Sequence, residues 1–314
     1  MLRLAAFVLI VFPIVAIAQN LPAIEDKTKG LKKQEGYLNY YWDEAAGKIW
    51  LEVDKLNTEI LYNISLPAAI GSNDIGLDRG LLGGGRIVIF NKVGRKLLMV
   101  QPNYNYRAIT TDKNEQKAVE QSFAQSTLWG FSIEAESNGH VLVDATDFLL
   151  RDAMKVSNRL RSMRQGNFSL DKTRSAIYLP QSKNFPQNTE LEATITFVNS
   201  DGETGNYLNS VTPSSEAVTV RVHHSFVQLP DNNYTPRVSD VRSSFIDISY
   251  FDYSTPVAEP IDKYFIIRHR LEKKDPAAAR SEPVKKITYY LDNGTPGTDT
   301  QRLVGRSAMV EPGF

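Results

Sequence analysis

Val218, Val220 and Val222 alternate with Thr219, Arg221 and His223. Successive side chains of a strand point to opposite faces, so this apolar/polar alternation specifies a half-buried antiparallel strand. It opens a stretch, residues 218–275, that also holds three of the four histidines, a second strand-like run and a dense set of Pro, Asn and Asp turn signals. The neighbouring chain reads the same way, with strands expected at 175–179, 190–199, 217–227, 243–251 and 262–271. Upstream, 37–42 and 48–53 form a hairpin across 43–47, and 60–66 is a further strand. Residues 86–91 pair with 96–101, and 131–136 with 140–144 across the tight turn Ser137, Asn138, Gly139.

Two segments break the β pattern. Asp112 can cap a helix over 112–126, with Glu115 in the reciprocal capping position and Val119 and Phe123 on one face. Asp147 is placed to cap a second helix running towards Arg164, with Phe148, Leu149, Met154, Leu160 and Met163 as its apolar side. Roughly ten or more short strands against about two helices imply a mainly β (α+β) chain, with antiparallel sheets in a sandwich or barrel-like arrangement and the helices packed on them. The β-rich region runs over 36–271, with a candidate subdomain break near 165–173.

The termini carry separate signals. Met1, Leu2 and Arg3 precede an apolar run over 4–17 broken by Pro13, and Ala16 and Ala18 supply small residues before Gln19. That is the pattern of an export signal over 1–18, too short for a spanning helix, so no membrane span is expected after cleavage. The expected location is periplasmic or extracellular. With no Cys, neither disulfides nor lipid attachment at a cysteine is available, and the core alone must stabilise the fold. Residues 19–35 form a polar leader without periodicity, expected to be loosely ordered. Lys+Arg and Asp+Glu both number 36, which argues against a nucleic-acid partner. At the other end, 272–283 reads as an exposed linker. Residues 284–291 form a fresh strand, 298–314 show a weak helical pattern, and 284–314 together look like the truncated start of another domain.

No reaction is spelled out by the polar residues. His140, His223, His224 and His269 are the whole histidine supply, and no two have the four-residue spacing of a helical zinc motif. His223 and His224 are adjacent on a strand and face opposite ways, so they cannot share one ion; a polar surface or sheet-edge role is favoured for them. His269 lies between Arg268 and Arg270 on a face suited to pairing with carboxylates. Gly80, Gly83, Gly84 and Gly85 lead into a strand rather than a helix, so a turn is favoured over a phosphate loop. Asn199 to Glu203 has the flavour of a calcium loop with its glycine misplaced, and a hairpin turn is favoured. Asp144, Asp147 and Asp152 near a helix start read as caps. Tyr40, Trp42 and Tyr104 could serve a binding surface, with a core role favoured.

Several of these segments, in order, resemble a family of large bacterial secreted zinc metalloproteases. The residues are 245–253 and 264–276, with 77–80, 82–84, 100–103, 106–108, 122–124, 128–131, 141–144, 151–152, 175–179, 183–186 and 188–190. The resemblance covers most of 36–292. In that family an uncharacterised N-terminal region precedes a metzincin-like catalytic domain opened by a strand like 287–291, with the zinc motif well downstream. The resemblance therefore implies no catalytic, cofactor-binding or metal residues in this chain, and zinc only in a following catalytic domain. Two readings stand: a non-catalytic region that scaffolds or shields the protease domain or presents a peptide or protein substrate, and a free-standing exported binding protein for peptides or glycans. An exposed apolar patch around 287–291 would favour the first; an aromatic cleft above a closed polar end would favour the second.

Overall fold

A computed structural model describes residues 21–289 except 72, 241 and 243, together with 291, 294 and 296. It divides into two compact units, one formed by residues up to Asn103 with Ala124–Pro230, the other by Tyr104–Phe123 with residues from Asp231 onward.

The first unit begins with α1 (Ile24–Lys27), β1 (Lys32–Gln34), β2 (Tyr40–Asp43), β3 (Lys48–Val53) and β4 (Glu59–Ala68). It continues through β5 (Leu81–Leu82), β6 (Arg86–Val93) and β7 (Lys96–Gln101), after which β8 (Tyr106–Arg107) and α2 (Lys113–Ser122) belong to the second unit. Next in the first unit come β9 (Ser126–Ser137), β10 (His140–Asp144), α3 (Thr146–Leu149), α4 (Val156–Ser162), β11 (Phe168–Ile177) and β12 (Lys183–Phe185). β13 (Asn188–Asn199), α5 (Asn206–Val211) and β14 (Ala217–Gln228) complete it, and β15 (Asp247–Asp252) and β16 (Asp262–Ile266) lie in the second unit.

The first unit is a single antiparallel sheet nearly closed into a barrel, in the order β1-β2-β3-β10-β9-β7-β6-β4-β14-β13-β11, with β5 on β4 and β12 on β13. The valine alternation does what it requires: Val218, Val220 and Val222 are buried, as is the matching row Ile60, Tyr62, Ile64 and Leu66 of β4. Each such aliphatic or aromatic side chain contributes about 1.5–3 kcal/mol by leaving water. Phe148 of α3 fills the interior, its ring 5.4 Å from those of Phe131 and His224 and 5.8 Å from those of Tyr62 and Trp129.

Closure is made by side-chain bonds and one backbone bond rather than by a strand ladder. Asn184 of β12 donates through Nδ2 to the carbonyls of Gln34 (3.0 Å) and Leu38 (2.8 Å), and Tyr37 N–H donates to Phe185 O (2.8 Å). Thr189 Oγ1 accepts from Leu38 N–H at 2.9 Å and donates to Asn184 Oδ1 at 2.7 Å. The approach is so close that a Cβ on Gly36 would collide with the Asn184 amide.

In the second unit β15 pairs antiparallel with β16 and parallel with β8. Tyr106 stacks on Phe123 with ring centroids 3.8 Å apart, and on Phe251 at 5.2 Å. Asp112 caps α2 as expected, accepting from Asn114 N–H at 2.8 Å. Among the described residues no helix is long and apolar enough to cross a membrane.

Three expectations need correction. The leader is ordered from residue 21, because Ile24 and Leu31 bury apolar surface against the outside of the barrel. The helix after Asp147 is two short ones: Lys155 takes a left-handed conformation, and Asp152 restarts the helix by accepting from Val156 N–H (2.7 Å) and Ser157 N–H (3.0 Å). Residues 284–289 form no strand. An extended segment needs a neighbour for its N–H and C=O groups, and no described strand runs beside this one. Strands 243–251 and 262–271 are real but shorter, reduced to β15 and β16. Residues 165–173 lie inside the first unit and lead into β11. The linker 272–283 is exposed and closes on itself through Lys274 N–H to Glu282 O at 2.8 Å. The export signal and the helical pattern over 298–314 fall outside the described residues.

Candidate functional site

β3 turns Ile49, Leu51 and Val53 into the barrel and therefore Trp50 and Glu52 outward. On that outer face Tyr41, Trp50, Ala135 and Leu142 form a small apolar patch, and Ile24 of α1 covers it. The leader is pinned there by polar bonds. Ile24 N–H donates to Ser137 Oγ (2.9 Å), Ser137 Oγ donates to Glu25 Oε2 (2.8 Å), and Glu136 N–H donates to Pro22 O (3.0 Å). Lys27 Nζ sits 4.8 Å over the Trp50 ring.

Beside this lid a cleft of about 420 Å³ opens, lined by Glu25, Thr28, Lys33, Tyr41, Glu52 and His140 among others. Glu52, only 7% exposed, is its most buried acid. Its Oε1 accepts from His140 Nδ1 at 2.7 Å, and its Oε2 accepts from Tyr41 Oη at 2.8 Å and Asn39 Nδ2 at 3.3 Å. The buried carboxylate thus fixes the imidazole with Nδ1–H inward, leaving Nε2 without a bond to any described residue. Burial and the bond to Glu52 push the Tyr41 hydroxyl well above the usual phenol range, so it stays a donor. Backbone hydrogen bonding, the Ser137 hydroxyl and the nearby His140 hold the Glu25 carboxyl below its usual range, so it stays anionic.

This arrangement offers an oriented imidazole with a carboxylate behind it, a unit able to accept a proton or hold a polar ligand. Among the described residues no nucleophile is joined to it: the Ser137 hydroxyl is committed to Glu25. Among the described residues no group of three or more His, Asp or Glu is placed to hold a metal ion.

His223 and His224 face opposite ways, as adjacent strand residues must. His223 bonds Glu190 Oε2 through Nε2 (2.6 Å) and Glu192 Oε2 through Nδ1 (3.0 Å) on the outer face of β13 and β14. His224 corrects the surface expectation: it is fully buried in the interior row, where Tyr62 and the Leu149 carbonyl satisfy its ring nitrogens. His269 is exposed, while Arg270 pairs with Asp231 and Glu272 at 2.6 Å each.

Gly83 N–H bonds Ile64 O at 2.7 Å in a turn before β6. Asn199 Oδ1 accepts from Asp201 and Gly202 N–H at 3.2 Å, a turn that opens the longer connection carrying α5 rather than a tight hairpin. Asp144 caps α3 through Thr146 N–H (2.9 Å), whereas Asp147 pairs with Lys172. Tyr40 is core and Trp42 packs against the core; Tyr104 lies in the second unit, with the Arg107 guanidinium 5.3 Å from its ring. Sequence reasoning reached His140 only by counting histidines and missed Glu52, Tyr41 and Glu25. The signal available was one charged residue in the outward row of the otherwise apolar run 49–53.

A family model described as a domain of unknown function, DUF5117, matches residues 80–274. The chain belongs to the DUF5117 family. No curated protein and no solved structure matches it. The DUF5117 match takes in residues of both units and, of the cleft, Ser137, Asn138 and His140; Glu25, Lys33, Tyr41 and Glu52 lie before it.

Proposed function

We propose that this chain is the non-catalytic N-terminal region of an exported zinc metalloprotease. Its role is to scaffold or shield a following protease domain, which carries the zinc, or to present a peptide or protein substrate to it. The observation that carries this reading is the apolar surface of the second unit. Phe245, Ile246, Ile248, Ile267, Val284 and Tyr289 are exposed, Ile246 at 77% and Tyr289 at 83%. Covering such surface stabilises an assembly by about 25 cal/mol per Å², and grouped exposed apolar side chains mark interaction sites. A protease domain is the partner that the family resemblance supplies, and Ile287, Tyr289 and Leu291 lie in the segment where that resemblance places its opening strand. Export to the periplasm or the exterior belongs to the same reading and rests on residues 1–18.

A second reading, a free-standing exported protein that binds peptides or glycans, is favoured by the His140 cleft. An antiserum raised against the purified chain separates the two. Immunoblots of the source organism's exported fraction should show a zinc-containing polypeptide well above 35.2 kDa. A zinc-free product no larger than this chain would support the second reading instead.

A further inference from the structure

We propose that the cleft beside α1 binds its ligand through a primary ammonium group. Tyr41 Oη, Asn39 Nδ2 and His140 Nδ1 are all spent on the Glu52 carboxylate, and the Ser137 hydroxyl is spent on Glu25 Oε2. The Glu25 carboxylate, which also accepts a backbone N–H, keeps further lone pairs, and His140 Nε2 bonds no described residue; both are acceptors when the imidazole is neutral. The charged or titratable groups facing the cleft are Glu25, Lys33, Tyr41, Glu52 and His140. The one lysine is drawn aside, its Nζ held by Glu35 at 2.9 Å. A carboxylate or phosphate ligand would meet the Glu25 and Glu52 carboxylates, against a lysine already neutralised by Glu35. An ammonium brings three N–H donors to an acceptor lining, and a cleft of about 420 Å³ has room for the atoms attached to it. The apolar stem of such a ligand can lie along Ile24 and Tyr41, which line the same cleft. The inference does not depend on the protease reading, because every residue it uses lies in the first unit.

The purified chain is titrated, with backbone amide NMR as the readout, with glycinamide and with Nα-acetyl-lysine methylamide. Nα,Nε-diacetyl-lysine methylamide is the uncharged control. Saturable shifts are expected at residues 24–28 and 137–140 with an ammonium probe and not with the control. The tighter probe tells whether a peptide amino terminus or a lysine side chain is the natural source. Glu25→Gln and His140→Gln, checked as folded by unchanged spectra elsewhere, should each weaken binding about tenfold, the size of one charge-assisted hydrogen bond. Absence of saturable shifts with both probes, an equal response to the control, or unchanged affinity in either variant overturns the proposal.

Discussion

Nδ1 of His224 lies 2.8 Å from Oη of Tyr62 in the interior of the first unit. Arg151 Nη2 donates to the same oxygen at 2.8 Å, so the Tyr62 proton is free for His224, whose Nε2–H reaches the Leu149 carbonyl at 3.2 Å. A directed chain from Arg151 through Tyr62 and His224 to the backbone of α3 therefore sets the imidazole tautomer. It also makes a polar residue tolerable in an apolar row. Burial, with the Arg151 guanidinium adding to it, brings the His224 pKa down to about 3.

This histidine makes the fold acid-sensitive. Its folded pKa lies below the ordinary 6.5, so as pH falls from there towards 3 the unfolded chain takes up a proton that the folded chain refuses. Stability falls with pH across that window, by up to about 1.4 kcal/mol per pH unit from this site. Urea melts between pH 7 and 4 should show the slope, and His224→Phe should reduce it by up to one proton. An unchanged slope would mean that His224 is already charged in the native protein.

His223 acts at the other limb. Burial opposes its charge, but the bonds to Glu190 and Glu192 outweigh burial and hold its pKa up at about 9. A raised folded pKa gives stability that is complete below 6.5 and is lost as pH climbs through 9. Thermal melts should therefore show the midpoint falling between pH 7 and 9.5, and the fall should be shallower in His223→Gln.

Tyr62→Phe keeps the ring among Phe148, Phe226 and His224 and removes only the hydroxyl. It strips one bond from Arg151 and one from His224, both within the core. The expected cost is about 1–3 kcal/mol in chemical denaturation, the penalty of leaving buried polar groups unpaired. A neutral result would show that the chain of bonds contributes nothing to stability.

The barrel seam is testable without touching the core. Asn184→Ala should cost about 1–3 kcal/mol and speed hydrogen exchange at Tyr37 and Leu38, whose N–H groups bond Phe185 O and Thr189 Oγ1 across the seam. Gly36→Ala should cost a similar amount by overpacking, because its new Cβ meets the Asn184 amide. Combining the two should cost less than the sum, since Asn184→Ala removes the obstacle.

Period-two alternation made the barrel strands readable, since Val218, Val220 and Val222 could bury only one way and the hairpin at 137–139 carried its own turn residues. The leader was illegible for the opposite reason. Its packing depends on Ile24 and Leu31 meeting Trp50, Ala135 and Leu142, residues more than a dozen positions away whose outward placement follows from the strands themselves. His224 looked like a surface residue because its partners, Tyr62 and the Leu149 carbonyl, come from elements 162 and 75 residues away in the chain. Residues 284–289 had strand composition but no neighbour among the described strands, and composition alone does not make a strand. The His140 cleft needs the leader, β2, β3 and β10 brought together, so only its histidine stood out in the sequence.

The reading of the chain as the front of a zinc protease is tested most directly by the DNA that follows the Phe314 codon. The account predicts an open frame continuing into a domain with His-Glu-x-x-His, the helical spacing that places two imidazoles on one zinc. A stop codon with no such motif encoded nearby would contradict it and leave the binding reading, centred on Glu52 and His140, as the function to pursue.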